Sequence, residues 1–408
     1  MGFLMKNLLY ILIFLPVLAS SQGVRYVDSL FSVDITSDIL YGNNENYDGT
    51  SQDLLLDLYQ PEGDTLDQRP LIIFAHGGSF LAGNKENPSM VTLCTAFAEM
   101  GYVTASINYR LGVDFGNVVA GNGDTEFIYA TLRGTHDMRA AVRFFRKDAA
   151  TTNEFAIDTS IIIAGGSSAG GFMGVHTAYL DRLEEVPEQI TNIEELGGIP
   201  GNSGNPGYSS DIVLALNLCG AVGDTVWIEQ QDTPLISMHG TDDNTVPYGT
   251  GNVELFGVPV YEVHGSGTID IRMENADTDH AFYTFQGAGH VPYDPLAGDD
   301  EHEMYMDTTI QFVKTALYER FFETPTFTDH DNRAEASVRI YPNPSSGRIT
   351  LSSSGEKLIF ISLYNSRGDL IVTKTISEKI HLALEKGIYF LHVRSEKRFL
   401  GTKKIIIQ

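Results

Sequence analysis

Short apolar runs alternate with helical patterns along the first three quarters of this 408-residue chain. Most of the runs are continuous rather than alternating, which is typical of strands buried on both faces. They lie at 54–59, 71–75, 102–107, 161–164, 212–218, 235–238 and 281–285. Helical patterns occur between or after them at 88–100, 133–149, 170–182 and 302–322. Strands that alternate with helices predict an α/β fold with a mainly parallel central sheet, covered on both sides.

The end of the chain has a different pattern. Residues 323–336 are polar and predict a linker, whereas residues 337–408 contain only short β-type runs. These runs lie at 358–364, 370–375, 388–393 and 403–407. A small C-terminal all-β, sandwich-like domain is therefore expected after an α/β domain that spans residues 22–322.

The first 21 residues have the pattern of a removable signal peptide. Lys6 precedes the apolar run 8–15, and the small residues Ala19, Ser20 and Ser21 follow. The run is too short to cross a bilayer. The alternative is a buried N-terminal strand. No other segment approaches the ~18 apolar residues that a membrane helix requires, so no integral membrane segment is expected after signal removal.

Charge divides the chain in the same place as the apolar pattern. Residues 337–408 hold 12 Lys and Arg against 5 Asp and Glu, whereas the whole chain has a net charge of −26. The body before them is strongly acidic, and an acidic surface repels phosphate backbones, so nucleic acid is not an expected partner. Cys94 and Cys219 each lie in an apolar run. Spacing alone leaves open whether they form a disulfide or stay as buried thiols.

A serine stands at the point where one apolar run meets a helical pattern. Ser168 follows the strand-like run 161–164, and Gly166 and Gly170 flank it two positions away on either side. This G-x-S-x-G arrangement predicts a nucleophile elbow, in which the missing glycine side chains let strand and helix approach closely around a strained turn. Ser168 is therefore the candidate nucleophile. A chance match is the alternative, and the other parts of a catalytic site decide between them.

A glycine-rich loop after the run 71–75 is the candidate oxyanion hole. His76-Gly77-Gly78 resembles the HGG signature of lipases and esterases, whose backbone N–H groups face the elbow. We assign Gly77 and Gly78 to this role, together with the amide of Ala169. The third position of the signature is Ser79 rather than glycine. A tight turn at the end of a strand is the alternative interpretation.

The candidate acid follows the run 235–238. The segment from His239 to Pro247 resembles the HGxxDxxVP segment of α/β hydrolases, and matching it position by position places the catalytic carboxylate at Asp243. Asp242 is the second choice, because adjacent carboxylates on a turn are hard to separate without coordinates. A solvated acidic loop or a weak calcium site would explain the same residues.

The candidate base lies in the loop after the last strand of the α/β domain. His290 ends a glycine-rich segment that resembles the GxGH pattern of the same superfamily, and the order Ser168, Asp243, His290 is the order expected for this fold. The competing histidines are His264, His280 and His302. His280 precedes its strand and is expected at the opposite edge of the sheet, whereas His302 begins the last helix.

Other polar residues have structural interpretations. We expect Arg110 and Asp137 to form an ion pair, and His76 and His239 to orient loops by hydrogen bonding. The sequence contains no HExxH, paired CxxC or GxxxxGK[ST] motif, so no metal and no cofactor is implied. The long polar loop 197–210 could form a lid or a substrate wall, or be plain surface.

These motifs together give a resemblance over residues 24–322 to the α/β hydrolase superfamily, in particular to secreted carboxylesterases of the acetylxylan and feruloyl esterase type. The resemblance implies that Ser168 attacks an ester carbonyl, His290 relays the proton, Asp243 holds the imidazole, and water releases the acyl group. The loops 114–130 and 197–210 are expected to line the pocket. The sequence does not identify the acyl group or the alcohol group of the substrate.

The C-terminal region resembles the sorting domain of type IX secretion substrates. The resemblance rests on the segments 341–344, 363–365, 387–389 and 403–407. It implies a partner, the type IX secretion machinery, and passage through the outer membrane with release or surface attachment. A carbohydrate-binding sandwich is the alternative, but the region has no tryptophan, since Trp227 is the only one in the chain.

Two further functions compete with an exported ester hydrolase. A serine exopeptidase related to the prolyl oligopeptidases would share the fold and an elbow with a trailing glycine like Gly171, although no propeller-sized region precedes the domain. A surface binding protein could retain the scaffold without activity. The intact set of Ser168, Asp243 and His290 argues against the second possibility.

Overall fold

The computed structural model describes residues 24–255, 258–298 and 301–322, and in the C-terminal region residues 337–341, 345, 347–354, 359–365, 370–376, 379–395 and 399–407. The expected signal peptide at 1–21 and the expected linker at 323–336 lie outside the described residues. The chain divides into two compact units. The larger unit holds the described residues up to Phe322 except 240–242 and 284–288, which are grouped with the C-terminal residues in the second unit.

An eight-stranded sheet forms the centre of the larger unit. The strands of this unit, in chain order, are β1 (Val33–Glu45), β2 (Ser51–Pro61), β3 (Arg69–Ala75), β4 (Val103–Ile107), β5 (Ile157–Ser167), β6 (Leu214–Leu218), β7 (Ala221–Val222), β8 (Leu235–Gly240), β9 (Thr250–Leu255), β10 (Val258–Gly265) and β11 (His280–Phe285). The sheet order is β1-β2-β4-β3-β5-β6-β8-β11. The pairs from β4 through β8 are parallel, whereas β2 runs antiparallel to both β1 and β4. The expected α/β fold with a mainly parallel sheet is confirmed.

Helices cover this sheet. They are α1 (Pro88–Glu99), α2 (Phe115–Asn117), α3 (Gly123–Thr151), α4 (Ala169–Tyr179), α5 (Ser266–Ala276) and α6 (His302–Phe321). Helix α1 packs against α6, and α3 packs against α4. Every residue of β3 is buried, which is why residues 71–75 are continuously apolar instead of alternating. Within the described residues, no helix combines the length and the apolar character that a bilayer crossing requires.

The structure corrects one expected loop and adds elements that the apolar pattern did not reveal. Residues 114–130 are mostly helical, because α2 and a π-helical turn at Val118–Asn122 lead directly into α3. Asp114 caps the start of this region, because its side chain accepts hydrogen bonds from the backbone amides of Gly116 and Asn117. Glycines and polar residues in this stretch hide its helical period. The exposed strand β1 and the hairpin of β9 and β10 were likewise not predicted.

The second unit contains two antiparallel sheets in its C-terminal region. Its strands are β12 (Ser337–Tyr341), β13 (Arg348–Ser354), β14 (Ile359–Asn365), β15 (Leu370–Ile376), β16 (Lys379–Ala383), β17 (Gly387–Ser395) and β18 (Phe399–Ile407). The sheet orders are β12-β13-β16 and β15-β14-β17-β18. Ile349 and Leu382 of the first sheet share one core with Leu363 and Leu391 of the second. The expected all-β architecture is therefore observed in this region.

The two cysteines do not form a disulfide. Cys94 and Cys219 are both buried thiols, and neither is part of a disulfide. Burial raises the pKa of Cys94, although a hydrogen bond with Thr104 acts in the opposite direction. The buried-thiol interpretation is therefore correct.

Candidate active site

The carboxyl ends of the parallel strands bring the predicted motifs to one edge of the sheet. Ala75 of β3 is level with Gly166 of β5, and Ser167 of β5 is level with Leu218 of β6. The loop after β3 and the turn after β5 therefore meet directly. Ligand sites in open α/β sheets lie at this edge because the loops that leave successive parallel strands converge there.

Ser168 occupies a strained turn between β5 and α4. Its backbone has φ 54° and ψ −114°, a conformation that a residue with a side chain rarely adopts. A Cβ atom on Gly166 or on Gly170 would lie 2.0 Å from the carbonyl oxygen of Ala75. The two glycines are therefore required by the close approach of β3, as the sequence motif predicts. Ser168 lines a pocket at this edge of the sheet.

The structure brings Ser168, His290 and Asp243 together. The Ser168 Oγ atom lies 2.8 Å from His290 Nε2, and His290 Nδ1 lies 2.6 Å from Asp243 Oδ2. A carboxylate only accepts hydrogen bonds, so Nδ1 carries the proton and Nε2 is free to accept the serine hydroxyl proton. The arrangement has the geometry needed to remove a proton from Ser168 and to stabilise the imidazolium that results.

Four hydrogen bonds hold the carboxylate of Asp243. Its Oδ1 accepts hydrogen bonds from the backbone amides of Thr245 at 2.8 Å and Val246 at 2.9 Å. Its Oδ2 accepts hydrogen bonds from His290 at 2.6 Å and from His239 at 3.1 Å. Burial acts to raise the pKa of Asp243, but the hydrogen bonds and charges of the two histidines outweigh it and lower that pKa below its usual range. The carboxylate therefore stays ionised although its side chain is buried.

The alternative acid Asp242 is not part of this cluster. It is exposed, and its Oδ1 accepts the hydroxyl of Thr241. The turn after β8 thus points the two adjacent carboxylates to different surroundings, which the sequence alone could not establish. The competing histidines also lie elsewhere. His280 pairs with Asp270 at 3.0 Å and His264 contacts Thr250 at 2.9 Å, whereas His302 is the first residue of α6.

His239 has a closer connection to the site than the sequence indicated. Its Nε2 lies 3.1 Å from both Asp243 Oδ2 and the carbonyl oxygen of Val246, so this nitrogen carries the proton. Its Nδ1 lies 2.9 Å from Ser266 Oγ. This hydroxyl oxygen in turn accepts a hydrogen bond from Asn217 Nδ2 at 3.1 Å. A buried hydrogen-bonded chain therefore supports the Oδ2 atom of Asp243, the same oxygen that contacts His290. The four-residue spacing between His239 and Asp243 is the feature of the sequence that could have indicated this contact.

The loop after β3 lies directly against the nucleophile. A Cβ atom on Gly77 would lie 3.2 Å from Ser168 Cβ, and one on Gly78, whose φ is 120°, would lie 1.9 Å from the carbonyl oxygen of Ala82. Both positions therefore require glycine or strongly favour it. The amide of Ala169 is the first of α4 and has no partner within its own helix. The oxyanion roles of Gly77, Gly78 and Ala169 stay a prediction.

His76 orients this loop, as the sequence suggested. Its Nδ1 lies 2.6 Å from the carbonyl oxygen of Gly77, and its ring stacks on Tyr109 with centroids 4.4 Å apart. Burial lowers the pKa of His76 to about 4, although the hydrogen bond with Gly77 acts in the opposite direction. The imidazole is therefore neutral near neutral pH and serves to shape the loop.

The expected ion pair also forms, and it fixes the loop 197–210. Arg110 Nη2 lies 2.8 Å from Asp137 Oδ1, and both side chains are buried. Ser203 donates to the same oxygen at 2.6 Å, and Arg143 of α3 donates to the carbonyl oxygens of Pro200 at 2.7 Å and Gly204 at 2.9 Å. The loop is thus bound to α3 through buried contacts.

A narrow pocket opens beside Ser168. Three aromatic rings form its wall, with centroids 6.0 Å apart for Phe80 and Phe127, 6.3 Å for Phe80 and Phe172, and 5.7 Å for Phe127 and Phe172. Phe127 lies on α3, so this part of the pocket wall comes from a helix and not from the expected loop. Among the described residues, no group of three or more His, Cys, Asp or Glu side chains is placed to hold a metal ion.

Two family models match separate parts of the chain. Residues 56–198 match the family model described as BD-FAE. Residues 339–408 match the model described as "Secretion system C-terminal sorting domain". The C-terminal match indicates an exported protein that is secreted or attached to the cell surface.

Two curated relatives and several solved structures resemble the α/β domain. The chain is 27% identical over 269 residues to the acylamino-acid-releasing enzyme of Mus musculus and 28% identical over 270 residues to that of Homo sapiens. Each match covers 58% of this chain, but the chain spans only 34% of the relatives' length.

Solved structures of Thermogutta terrifontis esterase 2 have the same fold. The form phosphorylated by paraoxon has a TM-score of 0.51 at 21% identity, covering 72% of this chain and 96% of that one. The form phosphonylated by cyclosarin has a TM-score of 0.50 at 21% identity, covering 74% and 100%. At this level of identity the similarity establishes the α/β hydrolase fold.

Proposed function

We propose that this chain is an exported serine carboxylic-ester hydrolase that acts through an acyl-enzyme on Ser168. The observation that carries the proposal is the unbroken line of hydrogen bonds from Ser168 Oγ through His290 to Asp243, 2.8 Å and 2.6 Å long. The match of residues 56–198 to the BD-FAE model and the esterase neighbours of the fold support it.

The proposed reaction has two halves. Ser168 Oγ attacks the ester carbonyl carbon while His290 Nε2 takes its proton, and the proton then passes to the departing alcohol. The amides of Gly77, Gly78 and Ala169 donate hydrogen bonds to the carbonyl oxygen as it becomes negatively charged. Each of these hydrogen bonds contributes about 3 kcal/mol of transition-state stabilisation. In the second half, His290 removes a proton from water while the water oxygen attacks the acyl carbon. The bond between that carbon and Ser168 Oγ then breaks, His290 returns the proton to Ser168 Oγ, and the acyl group leaves as the carboxylic acid.

The proposed substrates are acetyl or feruloyl esters of plant polysaccharide, or similar small esters. The narrow pocket at Ser168 and the exported state of the protein support this class. A panel of acetyl and feruloyl esters, with free and polymer-borne alcohols, tests it. Turnover of none of these esters would contradict the assignment.

The catalytic roles are tested by a Ser168→Ala variant assayed on p-nitrophenyl acetate. We expect kcat to fall by about 10³-fold or more, because the acyl-enzyme can no longer form. Ser160→Ala is the matched control, since Ser160 is an exposed serine on the same strand β5. Equal turnover by Ser168→Ala and Ser160→Ala would refute the proposal. Labelling by a fluorophosphonate probe, lost only in Ser168→Ala, gives a second readout and tests the alternative of a silent binding protein.

A serine exopeptidase is the second candidate, because the two curated relatives are acylamino-acid-releasing enzymes. The same three side chains would then cleave an amide bond. Acylaminoacyl p-nitroanilides compared with p-nitrophenyl esters separate the two functions. A higher kcat/KM on the anilides would favour the peptidase.

A further inference from the structure

Residues 290–294 carry the candidate base, and we name this segment the base loop. Its tyrosine, Tyr293, is fully buried and reaches the nucleophile elbow. The Tyr293 hydroxyl lies 2.7 Å from Ser167 Oγ and 3.3 Å from the carbonyl oxygen of Leu218. Ser167 directly precedes the nucleophile Ser168. Tyr293 therefore joins the loop that carries the base to the strand end that carries the nucleophile.

The carbonyl oxygen of Leu218 is shared by the two sides of this contact. It accepts hydrogen bonds from the backbone amide of Ser168 at 2.8 Å and from the hydroxyl of Tyr293 at 3.3 Å. A carbonyl oxygen only accepts hydrogen bonds. The arrangement that satisfies both contacts of Tyr293 therefore has Ser167 donating to Tyr293 and Tyr293 donating to Leu218. The tyrosine thus binds the same atom that fixes the amide of the nucleophile.

The hydroxyl of Tyr293 keeps its proton. Burial raises the pKa of Tyr293 well above its usual value, although the hydrogen bond with Ser167 acts in the opposite direction. The contact between the base loop and the elbow therefore does not titrate near neutral pH. Any loss of activity on removal of this hydroxyl reports the lost contact and not a change in the charge of the tyrosine.

The backbone between His290 and Tyr293 is strained. Val291 has φ 45°, in the left-handed region that β-branched residues avoid. It also precedes Pro292, and a residue before proline is normally extended. A strained residue persists only where its surroundings hold it in place. The base is therefore attached to a segment that requires an anchor to keep its conformation.

Asp294 holds the far end of the base loop. Its backbone amide donates to the carbonyl oxygen of Val291 at 2.9 Å, which closes a tight turn. Its Oδ2 lies 3.1 Å from Asn87 Nδ2 and 2.9 Å from Ser89 Oγ, at the start of α1. Asp294 thus fixes the base loop to α1, whereas Tyr293 fixes it to the elbow.

We propose that Tyr293 is a positioning residue of the hydrolase, which holds His290 at the distance from Ser168 that proton transfer requires. The inference rests on the proposed function, because it concerns the same nucleophile and base. The imidazole of His290 is held by hydrogen bonds of 2.8 Å with Ser168 Oγ and 2.6 Å with Asp243 Oδ2. The first of these is lost in the acyl-enzyme, because the acylated Oγ has no proton to donate. The contact of Tyr293 involves no reacting atom, so it persists through both halves of the reaction.

The first test removes the hydroxyl alone, in the full-length variant Tyr293→Phe. We expect kcat/KM on p-nitrophenyl acetate and the rate of fluorophosphonate labelling to fall together by about tenfold or more, because a displaced base slows proton transfer. Tyr179→Phe is the matched control, since it removes another buried hydroxyl, which donates to the carbonyl oxygen of Thr233 at 2.9 Å. It should stay within about twofold of the wild type. A Tyr293→Phe value within that range, or an equal fall in both variants, would overturn the proposal.

The second test separates the hydrogen bond from general damage by a double-mutant cycle. Ser167→Ala removes the hydroxyl that donates to Tyr293 and should lower kcat/KM by about fivefold. The double variant Ser167→Ala with Tyr293→Phe should lose no more than Tyr293→Phe alone, because both changes remove one interaction. Losses that multiply in the double variant would contradict the proposal. If Tyr293→Phe does not fold, Ser167→Ala with the kcat/KM of the wild type would contradict it by itself.

The third test observes the base directly. The Nδ1 proton of His290 lies in a short hydrogen bond with Asp243, so it should give a separate low-field signal in the proton NMR spectrum. We expect this signal in the wild type and in Tyr179→Phe, and a shifted or broadened signal in Tyr293→Phe. An unchanged signal in Tyr293→Phe would show that the imidazole has not moved and would overturn the proposal.

Failure of this inference is distinguishable from failure of the proposed function. If Ser168 is not the nucleophile, the wild type does not turn over p-nitrophenyl acetate through this serine, and the fluorophosphonate probe does not label it. If only the inference fails, the wild type is active and labelled, and Tyr293→Phe is equally so.

Discussion

The hydrogen bond from His239 to Asp243 gives the sharpest prediction about catalysis. Replacing His239 by Phe keeps a planar ring but removes the N–H donor 3.1 Å from Asp243 Oδ2. It also leaves the hydroxyl of Ser266 without the acceptor that lies 2.9 Å away. A hydrogen bond to a charged group contributes about 1.5–3 kcal/mol. Each 1.4 kcal/mol corresponds to about tenfold, so we expect kcat/KM to fall by roughly 10- to 150-fold.

The same change affects stability in a pH-dependent way. The lowered pKa of Asp243 in the folded protein stabilises the fold above the unfolded value of ~3.9, and this contribution is lost as the pH falls through the folded pKa. His239→Phe brings the folded pKa of Asp243 closer to ~3.9. The linked loss of unfolding free energy should therefore be about 1.5–3 kcal/mol near pH 7 and shrink once the pH falls below about 4.

The assay combines p-nitrophenyl acetate kinetics from about pH 5 to about pH 9 with urea unfolding from about pH 3 to about pH 7. His239→Gln is the conservative variant, because its amide can donate to Asp243, and it should recover part of the lost kcat/KM. His280→Phe is the matched control, since it breaks the other His–Asp contact, 3.0 Å to Asp270, away from Ser168. The reasoning is refuted if folded His239→Phe keeps kcat/KM within about twofold of the wild type.

Three further predictions concern the scaffold. Gly170→Ala should lower the unfolding free energy by about 3 kcal/mol or more, because its Cβ would lie 2.0 Å from the carbonyl oxygen of Ala75; Gly249→Ala, whose Cβ would make an ordinary contact of 3.9 Å with Thr268 Oγ1, should change it by less than about 0.5 kcal/mol in the same urea titration. Arg110→Met should cost about 3–5 kcal/mol by leaving Asp137 buried without its cation, and a thermal midpoint equal to the wild type would contradict this. Cys94 and Cys219 should resist a thiol reagent in the folded protein and both react after denaturation; rapid reaction of the native protein would show that they are not buried.

Several parts of the site could be inferred from the chain because they depend on local chemistry. A glycine on each side of Ser168 signals an elbow, and the structure shows that Ala75 excludes any larger side chain at both positions. Residues 71–75 of β3 are apolar without interruption because this part of the strand is buried on both faces. Such signals are local, so they can be interpreted without coordinates.

Other parts depend on contacts between residues far apart in sequence. Asp242 and Asp243 are chemically identical neighbours, and only the turn after β8 directs one of them toward His290. The sequence indicates only that His239 orients a loop. The structure shows that its ring contacts Ser266 and Val246 while it binds Asp243. The helical start of α3 was hidden by glycines and polar residues, and with it the position of Phe127 in the pocket wall.

The sequence by itself thus determined the α/β class, the all-β tail, and Ser168 and His290 as the candidate nucleophile and base, because apolar periodicity and glycine spacing are properties of short segments. Only the tertiary structure decided which carboxylate meets His290, that Cys94 and Cys219 stay apart, and that Phe127 and Phe172 pack together beside Ser168. These features arise where strands and helices distant in the chain pack together, and no short segment contains the distances involved.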